Sequence, residues 1–178
     1  MSDILFLKIA RSSISNRLGL DFPEPDCPPE MSELGATFVT LTLGGNLRGC
    51  IGTLEAHRPL LLDIRQNAIA AAFSDPRFPP LSMAEYAHIK IEVSLLSQAA
   101  PLAFSSEQDA LLQLAPGIDG VIFECGHRRS TFLPQVWESL PEPSSFLAQL
   151  KLKAGFSGSF WSDEIKLSRY TVSKWKEQ

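Results

Sequence analysis

Two pairs of short, β-rich segments, each pair joined by a tight glycine-containing turn, constrain this chain more than any other feature. Over residues 36–54, Thr37, Val39, Leu41 and Leu43 alternate with Phe38, Thr40 and Thr42 before Gly44-Gly45-Asn46 interrupts the pattern. Glycine reaches the positive backbone angles that a tight hairpin needs, so the flanking stretches read as antiparallel strands, the second over 47–54. Residues 118–125 and 128–133, divided by Gly126-His127, repeat the arrangement. A two- or three-residue turn cannot carry a parallel crossover, which takes a dozen residues or more.

The rest of the chain supplies helices to cover such a sheet. Ile4, Leu7, Ala10, Ile14 and Leu18 recur at helical steps behind Ser2 and Asp3 as capping residues, and Gly19 suits the C-terminal end. Four prolines over 22–29 break regular structure. Pro59 opens a second helix whose stripe of Leu61, Ile64, Ala68 and Ala72 is small enough for close approach to a sheet. Residues 88–96 alternate as a strand with Lys90, Glu92 and Ser94 on its wet side. A short helix over 107–114, a longer one from Pro143 to Gly155 and a closing strand over 165–172 complete the order. Hairpins outnumber crossovers, so the expected fold is α+β, with helices on a largely antiparallel sheet. The motif hairpin, helix, strand occurs twice, which suggests one domain over 1–178 with two related lobes divided near 97–105.

Composition narrows the function classes. With 178 residues, 44% hydrophobic and 20% charged, the chain can build a core without disulfides. A formal charge of −4 is the wrong sign for a protein that binds nucleic acid by neutralising phosphates. Cys27, Cys50 and Cys125 are odd in number and in no CxxC pair, which fits a reducing compartment. No apolar run approaches the ~20 residues of a membrane span, and the N-terminal segment lacks the marks of a secretory signal. The expectation is a cytoplasmic protein that touches neither membrane nor nucleic acid.

Leu47-Arg48-Gly49-Cys50-Ile51-Gly52 is the most distinctive segment. On an extended strand Arg48 and Cys50 share a face, and a guanidinium beside a thiol favours the nucleophilic thiolate. Gly49 and Gly52 mark a bulge or places where another backbone or a ligand comes close. The alternative is a small inert core cysteine, with Arg48 paired to Glu92 or a neighbouring acid. Ser74-Asp75-Pro76-Arg77-Phe78-Pro79-Pro80 is the second unusual stretch. It reads either as a rigid binding lip or as a helix stop in which Asp75 pairs with Arg77 while Phe78 plugs the core.

These two segments, with Ile91-Glu92-Val93-Ser94-Leu95-Leu96 and Leu133-Pro134-Gln135-Val136 in that order, resemble the AMMECR family over about residues 2–175. The resemblance implies two lobes with a cleft between them, and motif residues at Arg48, Gly49, Cys50, Gly52, Asp75, Pro76, Arg77, Glu92, Pro134 and Gln135. In prokaryotes it also implies genomic neighbours: a Memo-like protein and a radical SAM enzyme. The family often has a glycine-rich, basic second hairpin, whereas this chain reads Cys125-Gly126-His127-Arg128-Arg129.

Two functions follow. In the first, a cysteine-dependent enzyme or enzyme component acts on a small anionic substrate in the cleft. Cys50 is nucleophile or redox thiol, Glu92 a proton carrier, and Gly49, Gly52, Asp75 and Gln135 join Arg48 and Arg77 as binding residues. In the second, a non-catalytic binding or regulatory protein serves the Memo-like and radical SAM partners, with Trp137, Trp161, Trp175 or Phe78 as anchors where they are exposed; core or lobe-interface packing is the favoured alternative for the tryptophans. No metal or nucleotide cofactor is expected: Cys50, Glu55 and His57 lack ligand spacing, and no phosphate-loop pattern is present.

Overall fold

The computed structural model describes residues 4–178. Its α+β architecture comprises two compact units, one running to Leu96 and rejoined by Ser173–Gln178, the other Ser97–Val172.

Unit 1 begins with α1 (Leu5–Arg17), which buries Phe6, Ile9, Ala10 and Ile14. The buried stripe is rotated from the sequence expectation, and Ile4 is exposed. The caps expected at Ser2 and Asp3 lie outside the described residues. Prolines carry the chain through a short 3-10 turn (Pro29–Ser32) into β1 (Leu34–Leu43), β2 (Asn46–Gly52) and the two-residue β3 (Arg58–Pro59). Next come α2 (Leu60–Phe73), the single-turn α3 (Met83–Tyr86) and β4 (Ile89–Leu96). Strand β9 (Val172–Lys176) completes a sheet of order β2-β1-β4-β9, in which β3 pairs with β1. The closing strand expected over 165–172 is therefore two strands.

Helices and sheet share one core, with Ile9 and Ile14 from α1, Ile64, Ala68 and Ala71 from α2, and Val39, Leu41, Ile91 and Val93 from the sheet. The small residues of α2 allow the approach anticipated above. A Cβ on Gly49 would sit 2.1 Å from the Ala71 carbonyl oxygen, so only glycine fits at that crossing.

Beneath α2 a polar network ties the sheet to the helix. Asp63, fully buried, accepts hydrogen bonds from Thr37 N (2.7 Å), Thr37 Oγ1 (2.6 Å), Thr53 Oγ1 (2.7 Å), Arg58 Nε (2.7 Å) and Asn67 Nδ2 (3.0 Å). A buried carboxylate is tolerated when its lone pairs are saturated and a cation neutralises it, and Arg58 supplies that cation.

Unit 2 holds β5 (Ala100–Pro101), α4 (Glu107–Gln113), β6 (Gly120–Cys125), β7 (Arg128–Phe132), a 3-10 turn (Pro134–Glu138), α5 (Pro143–Lys153) and β8 (Lys166–Tyr170). Its sheet runs β5-β8-β6-β7 and is antiparallel throughout. Phe123, Phe146, Leu147 and Leu150 centre its core. Trp137 is buried, so of its two readings core packing is the one found and it is no exposed anchor. It stacks on Phe146 at 3.7 Å and donates from Nε1 to the Asp119 carbonyl at 2.7 Å.

Candidate functional site: the outer edge of β2

The β1–β2 hairpin does not keep the simple register of its turn. Leu43 pairs with Asn46 and Thr42 with Leu47, but Leu41 pairs with Gly49 and Thr40 with Cys50. Arg48 is the extra residue of a β-bulge. A one-residue slip exchanges the faces of a strand, so Cys50 shares the face of Thr40 rather than that of buried Val39. Cys50 is half-buried, and Thr40 Oγ1 donates to its Sγ at 3.2 Å.

The same bulge separates Arg48 from Cys50. Arg48 is 6% exposed; its Nε and Nη2 donate to the Glu85 carboxylate at 2.7 and 3.1 Å, and Nη2 also to the Pro79 carbonyl at 2.8 Å. Its Nη1 is buried without a partner among the described residues. Glu85 belongs to a capping box with Ser82, and the Arg48 hydrogen bonds, ahead of the Ser82 N–H, hold its carboxyl down at about 2. Arg48 is thus a buried partner of Glu85, and the guanidinium that reaches Cys50 is that of Arg77.

Asp75 and Arg77 meet Cys50 through its backbone. The Cys50 N–H donates to Asp75 Oδ2 at 2.9 Å, and Arg77 Nη2 donates to the Cys50 carbonyl at 3.3 Å. Arg77 also grips Asp75 through Nε (2.9 Å) and Nη2 (2.7 Å). That guanidinium, followed by the backbone N–H groups of Cys50 and Arg77, holds the buried Asp75 carboxyl well below the usual carboxylate range. Phe78 is half-buried, its ring centroid 5.6 Å from Arg77 Cζ and 5.7 Å from Arg48 Cζ. The Asp75–Arg77 pairing of the helix-stop alternative is the arrangement found, whereas Phe78 is half-buried beside the two guanidinium groups rather than a plug of the core.

Glu92 pairs with Thr40 across β4, on the opposite side of β1 from Cys50. Two strand spacings, roughly 10 Å, separate it from the thiol, too far for direct proton transfer. Its cationic neighbour is Lys174, Nζ at 3.8 Å. Gly52 makes room for Phe38, whose ring a Cβ would meet at 2.2 Å. Gln135 is exposed on the 3-10 turn of unit 2. The structure therefore brings Cys50, Asp75 and Arg77 together within unit 1 and leaves Glu92 on the far side of β1. Thr40 and Glu85 went unrecognised in the sequence; Ser82-Met83-Ala84-Glu85 carried a capping-box signal for Glu85, while Thr40 depends on the bulge.

His57, His88 and His127 are exposed. Among the described residues no group of three or more His, Cys, Asp or Glu side chains could hold a metal ion. None of the described helices is long and apolar enough to cross a membrane.

The sequence profile of the family described as AMMECR1 matches residues 7–175. A Thermotoga maritima protein is 41% identical over 157 residues, covering 86% of this chain and 85% of its own. One from Methanothermobacter thermautotrophicus is 36% identical over 181 residues, covering 96% and 92%. The crystal structure of the uncharacterised protein PH0010 from Pyrococcus horikoshii superposes with a TM-score of 0.80 at 32% identity, covering 97% of this chain and 90% of that one.

Proposed function

The chain belongs to the AMMECR1 family, and within it we propose that this protein is a cysteine-dependent enzyme, or the thiol-bearing component of one, acting on a small anionic substrate. One observation carries the reading: at half-buried Cys50 the sulfur receives the Thr40 O–H while an arginine anchored on Asp75 stands at the same residue. Cys50 is the nucleophile or redox thiol. Arg77, with its side chain 54% exposed, is the anion contact, a role that buried Arg48 cannot fill. Glu92, the proton carrier expected from the sequence, faces Lys174 two strands from the thiol, so it could act on Cys50 only through a bridging group. Three free cysteines suit a reducing cytoplasm.

A non-catalytic role beside Memo-like and radical SAM proteins is the second reading. It is favoured by the internal neutralisation of both guanidinium groups, Arg48 by Glu85 and Arg77 by Asp75, which leaves no surplus charge demanding a substrate. A thermal-shift panel of small carboxylates and phosphates separates the two. The enzyme reading predicts at least one ligand that raises the melting temperature of the wild type, with the effect lost in Arg77→Ala and altered in Cys50→Ser. A panel without effect, together with Arg77-dependent co-purification of the two partner proteins, supports the second.

A further inference from the structure

Asp75 and Arg77 belong to the binding residues proposed from the sequence, yet beyond their bonds to each other both are held to the main chain of Cys50. We infer that the Asp75-Pro76-Arg77 segment is a side-chain clamp that stands in for a missing β-strand, and that both residues position Cys50. The inference goes beyond the proposed chemistry and holds whether or not the thiol reacts.

Strand β2 is the outer strand of its sheet. In an antiparallel ladder the residues of a non-hydrogen-bonded pair turn their N–H and C=O away from each other, and their side chains come closer together. Cys50 and Thr40 are such a pair, since the Cys50 N–H points outward to Asp75 and its C=O outward to Arg77. On an ordinary edge these groups would face water or recruit a foreign strand. Here a carboxylate takes the donor, a guanidinium supplies the acceptor's partner, and the two side chains are bound to each other by the Nε and Nη2 bonds. Pro76 lies between the two clamp residues, and Pro79 and Pro80 follow, restricting the backbone on which both groups are mounted. The Arg77 main-chain N–H also donates to Asp75 Oδ1 at 3.1 Å, closing the turn on itself.

Two consequences follow. Asp75 is 4% exposed and has its oxygens filled from inside the protein, which removes it from the surface a substrate can touch. Arg77 spends Nε and Nη2 on the clamp, so Nη1 is the nitrogen it can offer to a ligand. A monodentate anion contact is what remains. The clamp also holds the Cys50 backbone flat against β1, and this is what keeps Sγ opposite Thr40 Oγ1.

Residue-resolved amide hydrogen exchange on the full chain tests the clamp, because local opening is read separately from global unfolding. In Asp75→Ala the Cys50 amide should exchange at least about tenfold faster while the β1 amides keep their wild-type rates. In Arg77→Ala, where the altered side chain is half-exposed and the fold is expected to persist, Cys50 should accelerate by a smaller factor of roughly three, and Arg77→Lys should recover part of the protection. Unchanged Cys50 exchange in Arg77→Ala and in any folded Asp75→Ala protein overturns the inference. So does an equal acceleration across the whole sheet, since that reports lost stability rather than a local clamp. The alkylation rate of Cys50 is a separate readout, so a failure of the clamp is distinguishable from an unreactive thiol.

Discussion

The carboxylate of Asp75 accepts from the N–H of Cys50, the N–H of Arg77 and the Arg77 guanidinium, and that surplus of donors decides its acid behaviour. Its folded carboxyl lies below the ordinary range, as does that of Glu85 at about 2, held down first by Arg48. For a group whose folded value is depressed, the stabilisation is complete above the unfolded value of roughly 4 and is lost as pH falls toward the folded one. Denaturant midpoints should therefore hold level from neutrality to about pH 5 as far as these groups are concerned, and decline below about pH 4. Asp75→Asn should be less stable at neutral pH and show a shallower acid decline. An acid limb of unchanged slope in that variant would contradict the assignment.

At the scale of elements, the hairpin and α2 determine each other. The turn at Gly44-Gly45, with φ of +57° and +83°, was legible in the sequence, as were both strands and the small-residue stripe on the helix. The register of the bulge was not. Counting pairs outward from the turn puts Cys50 opposite Val39, on the core face, and only the extra residue at Arg48 brings it opposite Thr40. A strand glycine signals a bulge without fixing its register; the close seam against α2 favours this one, because Gly49 must meet the Ala71 carbonyl. Strict alternation also misplaced Arg48, which the bulge re-aims at Glu85. Gly49→Ala drives a methyl into a backbone oxygen that cannot rotate away, so it should cost about 3 kcal/mol, read as a lowered urea midpoint at constant slope. A loss below about 0.5 kcal/mol would mean that β2 and α2 are not seated as described.

Across the whole molecule, the α+β class and the antiparallel hairpins could be read from turn chemistry and alternation, because these are local signals. The return of the chain into the first sheet through β9 could not, since Val172–Lys176 carries only a weak alternating pattern and its place beside β4 is a long-range pairing. The pairing of buried Lys151 with the partly exposed Glu107, Nζ to Oε1 at 2.6 Å, was equally hidden: a lysine at a fully buried helix position betrays itself only once its partner from α4 is in place. The three cysteines sample three environments within this frame. Cys27 is half-buried, and burial, with Glu24 and Asp26 acting against Arg65, pushes its thiol up. Cys125 is 7% exposed in the core of unit 2. Cys50 is half-buried with a hydroxyl donor on its sulfur. Competitive alkylation of the native full-length protein at neutral pH, resolved by peptide mass spectrometry, compares them in one tube. Cys50 should be modified on the order of tenfold faster than Cys27 and faster still than Cys125, with the advantage reduced in Thr40→Val. Equal labelling of Cys27 and Cys50, or a Cys50 that stays unlabelled until the protein unfolds, would contradict a reactive thiol at this edge.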